Sequence, residues 1–155
     1  MIFSASEHCQ GRKHLPKAQK KDIENAIAAI TPPPPVGAST KKIRTEFLSS
    51  LKMSGWTNEL IVASNSGMTI TTSREQVGLC LQTGNMARMY ADLMKLQTLY
   101  LDGAINVAVI VLPSSATAKL LGSNIAAAER LERELVVFRK TCHVPTVIYS
   151  LEMSE

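Results

Sequence analysis

Met68-Thr69-Ile70-Thr71, then Ser73-Arg74-Glu75-Gln76, then Val77-Gly78-Leu79-Cys80-Leu81-Gln82-Thr83-Gly84-Asn85 occupy the middle of this 155-residue chain. Asn65-Ser66-Gly67, just ahead, is a hairpin signal, because Asn and Gly accept the positive φ that a tight turn requires. Strands are predicted over 68–72 and 77–82, joined by a turn over 73–76. Residues 86–101 then carry Met89, Leu93, Leu96, Leu99 and Tyr100 on one side, with Arg88, Asp92 and Lys95 among the polar positions. That is the 3.6-residue period of a helix, and Asp102-Gly103 closes it. Residues 105–112 are almost continuously apolar, as expected of a central strand covered on both faces.

Outward from this segment the signals continue. A helix is predicted from Pro16, with Ile23, Ile27 and Ile30 on one face. The four prolines 32–35 end it and make a stiff extended spacer. A second helix begins near Ser39 or Thr40, turns Ile43, Phe47, Leu48 and Leu51 inward and stops by Gly55. Trp56 packs on the core as the chain enters a first strand over 59–63. Downstream, a helix over 125–141 leads through His143-Val144-Pro145 into a last strand over 146–151. Residues 1–15 read as an irregular arm. The order αα-βββ-α-β-α-β predicts one α/β domain over 1–155, a mixed sheet flanked by helices.

Composition sets outer limits. Hydrophobic residues make up 45% and charged residues 19%, ordinary values for a globular chain. No apolar run approaches the ~20 residues that span a bilayer, and the opening five residues are too short for a signal peptide. Three widely spaced cysteines make no disulfide framework, so an intracellular, cytoplasmic chain with reduced thiols and no membrane partner is expected. The net charge of +4 permits a nucleic-acid partner. Much of the excess lies in Arg12-Lys13-His14, Lys17, Lys20 and Lys21, which serve equally as a phosphate-touching arm or a solvated helix start. Cys9 with His8 and His14, and Cys142 with His143, lack the spacing of a structural zinc site, so no metal ligands are assigned. Thr83-Gly84-Asn85 precedes a helix and reads either as a phosphate-binding N-terminus or as a simple N-cap.

Taken together, Leu81-Gln82-Thr83-Gly84-Asn85, Arg88, Asp92-Leu93, Lys95-Leu96-Gln97, Tyr100 and the strand ending at Pro113 resemble the BglII/BstYI group of type II restriction endonucleases, within the PD-(D/E)XK nuclease superfamily. A weaker likeness extends back to Gly55-Trp56 and forward through Ser123-Asn124-Ile125, Glu134-Leu135 and Val144-Pro145. The resemblance implies a restriction endonuclease-like αβββαβ core, a homodimer on duplex DNA, and Mg²⁺ held by an Asp and a Glu on neighbouring strands. It also implies a Gln two residues past the Glu. Carried onto this chain, Gln82 matches the Gln, Thr71 stands at the Asp position and Cys80 at the Glu position. Asn58 corresponds to an upstream Asn, and Asn85 falls near the DNA-facing cleft. Arg88 and Lys95, seven apart on one helix face, are candidates to track a nucleic-acid backbone or an adjoining subunit, with a solvated face as the default.

Thr71, Cys80 and Gln82 are expected on one side of two adjacent strands. A neutral hydroxyl and a soft sulfur are poor substitutes for the hard anionic oxygens that hold Mg²⁺. Glu59 and Glu75 are the nearest acids in sequence able to take over the role; Glu75 falls in a turn, and Glu59, at the start of the predicted first strand, is the better candidate. Three readings follow. The first is a catalytically degenerate domain that binds DNA or another protein chain. The second is a working Mg²⁺-dependent endonuclease with its carboxylate migrated to Glu59. The third is an interaction domain without nucleic-acid binding. No cofactor is expected under the first and third, and Mg²⁺ under the second.

Overall fold

In a computed structural model, which describes residues 1–32 and 40–153, five strands form one mixed sheet. They are β1 (Ile2–His8), β4 (Thr72–Arg74), β5 (Val77–Leu81), β6 (Val107–Pro113) and β7 (Thr146–Glu152), in the order β1-β7-β6-β5-β4. The central three run parallel, and β1 and β4 close the edges antiparallel. A separate two-stranded ribbon pairs β2 (Leu60–Ile61) with β3 (Thr69–Ile70). The helices are α1 (Gly11–His14), α2 (Lys17–Ala28), α3 (Thr40–Met53), α4 (Met86–Leu101), α5 (Ser115–Leu121) and α6 (Ala128–Phe138).

Period-two alternation along the central strands supplies both cores. Val77, Leu79 and Leu81 of β5, Val107, Val109 and Val111 of β6, and Val147, Tyr149 and Leu151 of β7 share one face. There they meet Ile23, Ala26 and Ile27 of α2 and Ile43, Phe47 and Leu51 of α3. Cys80, Ala108, Ile110, Leu112 and Ile148 point the other way, to Met89, Leu93, Leu96 and Leu99 of α4 and Leu131 and Leu135 of α6. Both faces being covered explains why β6 is apolar at every position rather than at alternate ones. Each fully buried Leu, Ile or Phe contributes about 1.5–3 kcal/mol, so the central strands and these helices hold most of the stability. No described helix is long and apolar enough to cross a membrane.

Several local expectations are corrected. Residues 1–15 are not an irregular arm: β1 pairs with β7 from Ile2↔Glu152 to His8↔Thr146 and is followed by α1. Phe3 stacks edge-on against Tyr149, with ring centroids 5.4 Å apart. The three-stranded meander is also divided. The pairing of β2 with β3 covers only Leu60↔Ile70 and Ile61↔Thr69, Thr71 is a bend, and β4 replaces part of the predicted turn. The reversal itself is confined to Glu75 and Gln76, with Glu75 at φ 54°. The helix expected over 125–141 is shorter, and α5 precedes it, started by Ser114, whose side chain accepts from Thr117 N. Most of the proline spacer, from Pro33, lies outside the described residues.

One close approach fixes how α1 sits against the sheet. A Cβ at Gly11 would lie 2.1 Å from the carbonyl oxygen of Thr146, a backbone atom at the start of β7. Gly11→Ala should therefore cost at least the ~1–3 kcal/mol typical of overpacking, read as a lower urea midpoint with an unchanged slope. A midpoint within experimental scatter of the parent would show that α1 packs elsewhere.

Candidate functional site

At the carboxyl end of β5 the main sheet and the β2–β3 ribbon diverge, leaving a cleft of about 520 Å³ between α3 and α4. Its walls carry Thr40, Lys41 and Arg44 from α3 and Arg88, Ala91, Asp92 and Lys95 from α4. Thr69 to Thr71, residues 81–84 and Glu59 complete it. Four cations thus face two carboxylates across one opening. A second groove of about 420 Å³ continues along α3, sharing Arg44, Glu59 and Thr71 and adding Lys52 and Asn58.

Helical spacing builds the α4 wall. Arg88, Asp92 and Lys95 recur at four and three, so they rise on one face above the buried row Met89, Leu93 and Leu96. Asn85 starts the helix, its side chain accepting from Arg88 N at 3.1 Å. That is the N-cap reading of this segment. Asn85 does not line the cleft.

The strand residues behave differently from one another. The β4–β5 register, Thr72↔Leu79, continues to place Thr71 opposite Cys80. Thr71 Oγ1 accepts from Leu81 N at 3.0 Å and faces the cleft. Cys80 shares the α4 face of the sheet with Gln82, but its thiol is sealed under Ile70 and α4 with no exposed surface. Burial, and secondly the nearby Asp92 carboxylate, hold that thiol far above the ordinary range, so it stays protonated. Gln82 is engaged at both ends: Nε2 donates to Asp92 Oδ2 at 2.7 Å, and Oε1 accepts from Gly84 N at 2.8 Å. Lys95 Nζ lies 3.2 Å from Asp92 Oδ1.

Glu59 sits at the mouth, more than half exposed, 3.9 Å from Arg44 and accepting from Thr69 Oγ1 at 3.3 Å. Of the residues singled out in the sequence, Thr71, Gln82, Glu59, Arg88 and Lys95 meet in the cleft, Cys80 lies beneath it and Asn58 lies in the adjoining groove. The N-terminal basic residues do not join them. His14 lines a hollow with Gln76 and Asn106, and Arg12 and Lys20 line one with Val147, all at the opposite end of the parallel strands.

Two features escaped the sequence reading. Asp92 was visible as a polar helix position and as part of the resemblance, but not as the carboxylate that meets Gln82. Lys41 and Arg44 were overshadowed by the denser N-terminal charges, although their spacing of three on a helix that buries Ile43 and Phe47 already put them together on its open face. Among the described residues no group of three or more His, Cys, Asp or Glu side chains is arranged to hold a metal ion.

A family model described as restriction endonuclease BamHI matches residues 10–153. Among solved structures, the chain is similar to restriction endonuclease BglII complexed with a DNA 16-mer, with a TM-score of 0.84 at 12% identity over 99% of this chain and 78% of that one. It is also similar to free BglII, with a TM-score of 0.70 at 14% identity over 99% of this chain and 81% of that one. No curated protein matches.

Proposed function

This chain belongs to the BamHI restriction endonuclease family, and from that membership we propose that it holds duplex DNA in the α3–α4 cleft without cutting it. The observation that carries the reading is the pair Thr71 and Cys80, side by side where two strands of this fold would present carboxylates, with Thr71 facing a cleft rich in cations and Cys80 buried beneath it.

The family is typically Mg²⁺-dependent, and the residues here fit that ion poorly. A hard cation needs several anionic oxygens converging on it. Thr71 offers a neutral hydroxyl already used by Leu81 N. Cys80 offers a buried, protonated thiol. Asp92 is held by Gln82 and Lys95, and Glu59 by Arg44. These donors do not make a magnesium site. Phosphates, by contrast, are met by Lys41, Arg44, Arg88 and Lys95 without any metal, and such contacts dominate sequence-independent affinity.

The relative solved with a DNA 16-mer supports duplex DNA as the partner. The test is anisotropy of a labelled duplex across a salt series, with plasmid nicking followed in parallel under Mg²⁺ and Mn²⁺. Binding that weakens steeply with salt, without nicking, is expected. Mg²⁺-dependent cutting lost in Glu59→Ala or Asp92→Asn would replace this reading with an enzyme using cleft carboxylates. No duplex binding at low salt would leave only an interaction domain.

A homodimer is the second part of the proposal. Met94 of α4 and Val136, Val137 and Phe138 of α6 are exposed, and Met94 and Phe138 flank an apolar groove of about 390 Å³ between the two helices. Large exposed apolar patches mark interaction surfaces, and two-fold pairing buries one patch against itself. Met94→Glu with Val137→Glu should convert a sedimenting dimer to a monomer while leaving the circular dichroism spectrum intact. A parent protein that sediments as a monomer at tens of micromolar contradicts this part.

A further inference from the structure

Where β1 ends, the chain turns through two residues with positive φ, Cys9 at 49° and Gln10 at 60°, before α1 begins. The turn that follows α6 comes alongside and brings up Cys142, whose N donates to Phe138 O. The ring of His8 lies between them. Its Nε2 is 2.7 Å from the carbonyl oxygen of Cys142 and 3.3 Å from Cys9 Sγ. A carbonyl only accepts, so Nε2 carries the hydrogen and donates it to Cys142 O, while Cys9 Sγ lies beside the same ring edge.

The three thiols are therefore unequal. Cys9 is exposed, Cys142 is buried with its backbone carbonyl on the His8 ring, and Cys80 is enclosed in the core. We propose that Cys9 and Cys142 are an oxidisable pair, which a hydroperoxide converts to an intramolecular disulfide tying edge strand β1 to the turn between α6 and β7. The Cys142 thiol is pushed up to about 11, first by burial and then by the charge Cys9 carries nearby. The exposed Cys9 is the sulfur a peroxide reaches first, which makes it the attacking group and the buried Cys142 the resolving thiol.

The Cys9 thiolate attacks one peroxide oxygen, the O–O bond breaks, and hydroxide leaves and is protonated to water, giving a sulfenic acid at Cys9. The Cys142 sulfur then attacks Cys9 Sγ and its proton goes to the departing hydroxide, forming the S–S bond and a second water. Two sulfurs supply the two electrons that reduce one hydroperoxide. A disulfide needs the sulfurs within ~2.0 Å and suitable Cβ directions. The exposed positive-φ turn at Cys9 and Gln10 is the part of the chain that can shift to meet this. In a reducing compartment the bond is reversible by thiol exchange. The proposal is independent of whether the cleft binds DNA.

The test treats the whole, unmodified chain with stoichiometric hydrogen peroxide, alkylates it, and reads intact mass and a non-reduced peptide map. The expected result is loss of two hydrogens per chain, one peptide pair joining Cys9 to Cys142, and Cys80 alkylated only after denaturation. In Cys142→Ser, Cys9 should be trapped as a sulfenic acid by a 1,3-diketone. In His8→Ala, which removes the ring that touches both segments, the disulfide should form more slowly. Oxidation of the parent to a Cys9 sulfinic acid with Cys142 still alkylatable would overturn the pairing, and so would a Cys9–Cys9 bridge between chains.

Discussion

Replacing Lys41, Arg44, Arg88 and Lys95 together by Ala should lower duplex affinity by about three to four orders of magnitude at roughly 0.1 M salt. The magnitude follows from counterion release, about tenfold per phosphate contact at that concentration, with the slope of log K against log salt becoming shallower by about 0.9 per contact. Two of the four are paired in the free protein, Arg44 with Glu59 and Lys95 with Asp92, so their removal also leaves carboxylates facing the phosphates. Neutralising Lys13, Lys17 and Lys20 provides the contrast. The nearby Arg12, His14 and Lys20 side chains line hollows at the far end of the parallel strands, so that triple variant should change affinity and slope little. Anisotropy titrations at several salt concentrations read both quantities. If the N-terminal variant loses more than the cleft variant, the duplex lies on another face.

Thr71→Asp combined with Cys80→Glu should destabilise the protein strongly without metal and regain part of the loss with Mg²⁺. Cys80 has no exposed surface, and its side chain points toward α4 and Asp92. A longer carboxylate there is buried without a partner beside a like charge, a defect of about 3–5 kcal/mol. Burial raises the introduced carboxyl's pKa above its unfolded value. The penalty is therefore full at neutral pH and relieved as pH falls through the raised value, when the neutral acid forms. Divalent cation acts in the same direction, since binding only the folded state stabilises it by mass action. Melting temperatures with and without Mg²⁺, at neutral and acid pH, measure all of this. A double variant as stable as the parent, and indifferent to both, would show that the two positions do not share a site.

The parts of this molecule legible in its sequence are those where periodicity and burial agree. α4 spans Met86–Leu101 as its heptad-like row of Met89, Leu93, Leu96 and Leu99 required, and β6 could be read as central because no polar residue interrupts Val107 to Leu112. β1 was missed for the converse reason. It is an edge strand with alternating polar residues, and its partner β7 lies at the other end of the chain. No local pattern encodes a pairing at that separation. The short β2–β3 ribbon was merged into the sheet because Met68 to Thr72 reads as one strand, whereas the bend at Thr71 divides it. In the cleft, the opposition of Thr71 and Cys80 follows from strand register, which a hairpin fixes. The Gln82–Asp92 contact depends on how Thr83-Gly84-Asn85 folds the helix back over the strand, and that segment has no period to read.

Whether the cleft can hold a divalent cation is read by calorimetric titration of Mg²⁺ or Mn²⁺ into the protein, alone and saturated with duplex DNA at low salt. The donor chemistry of Thr71, Cys80, Gln82 and the paired Asp92 predicts no saturable metal heat for the protein alone, and none for the complex beyond that of the same duplex without protein. Saturable binding of metal to the protein–duplex complex, lost in Asp92→Asn or Glu59→Ala, would contradict it.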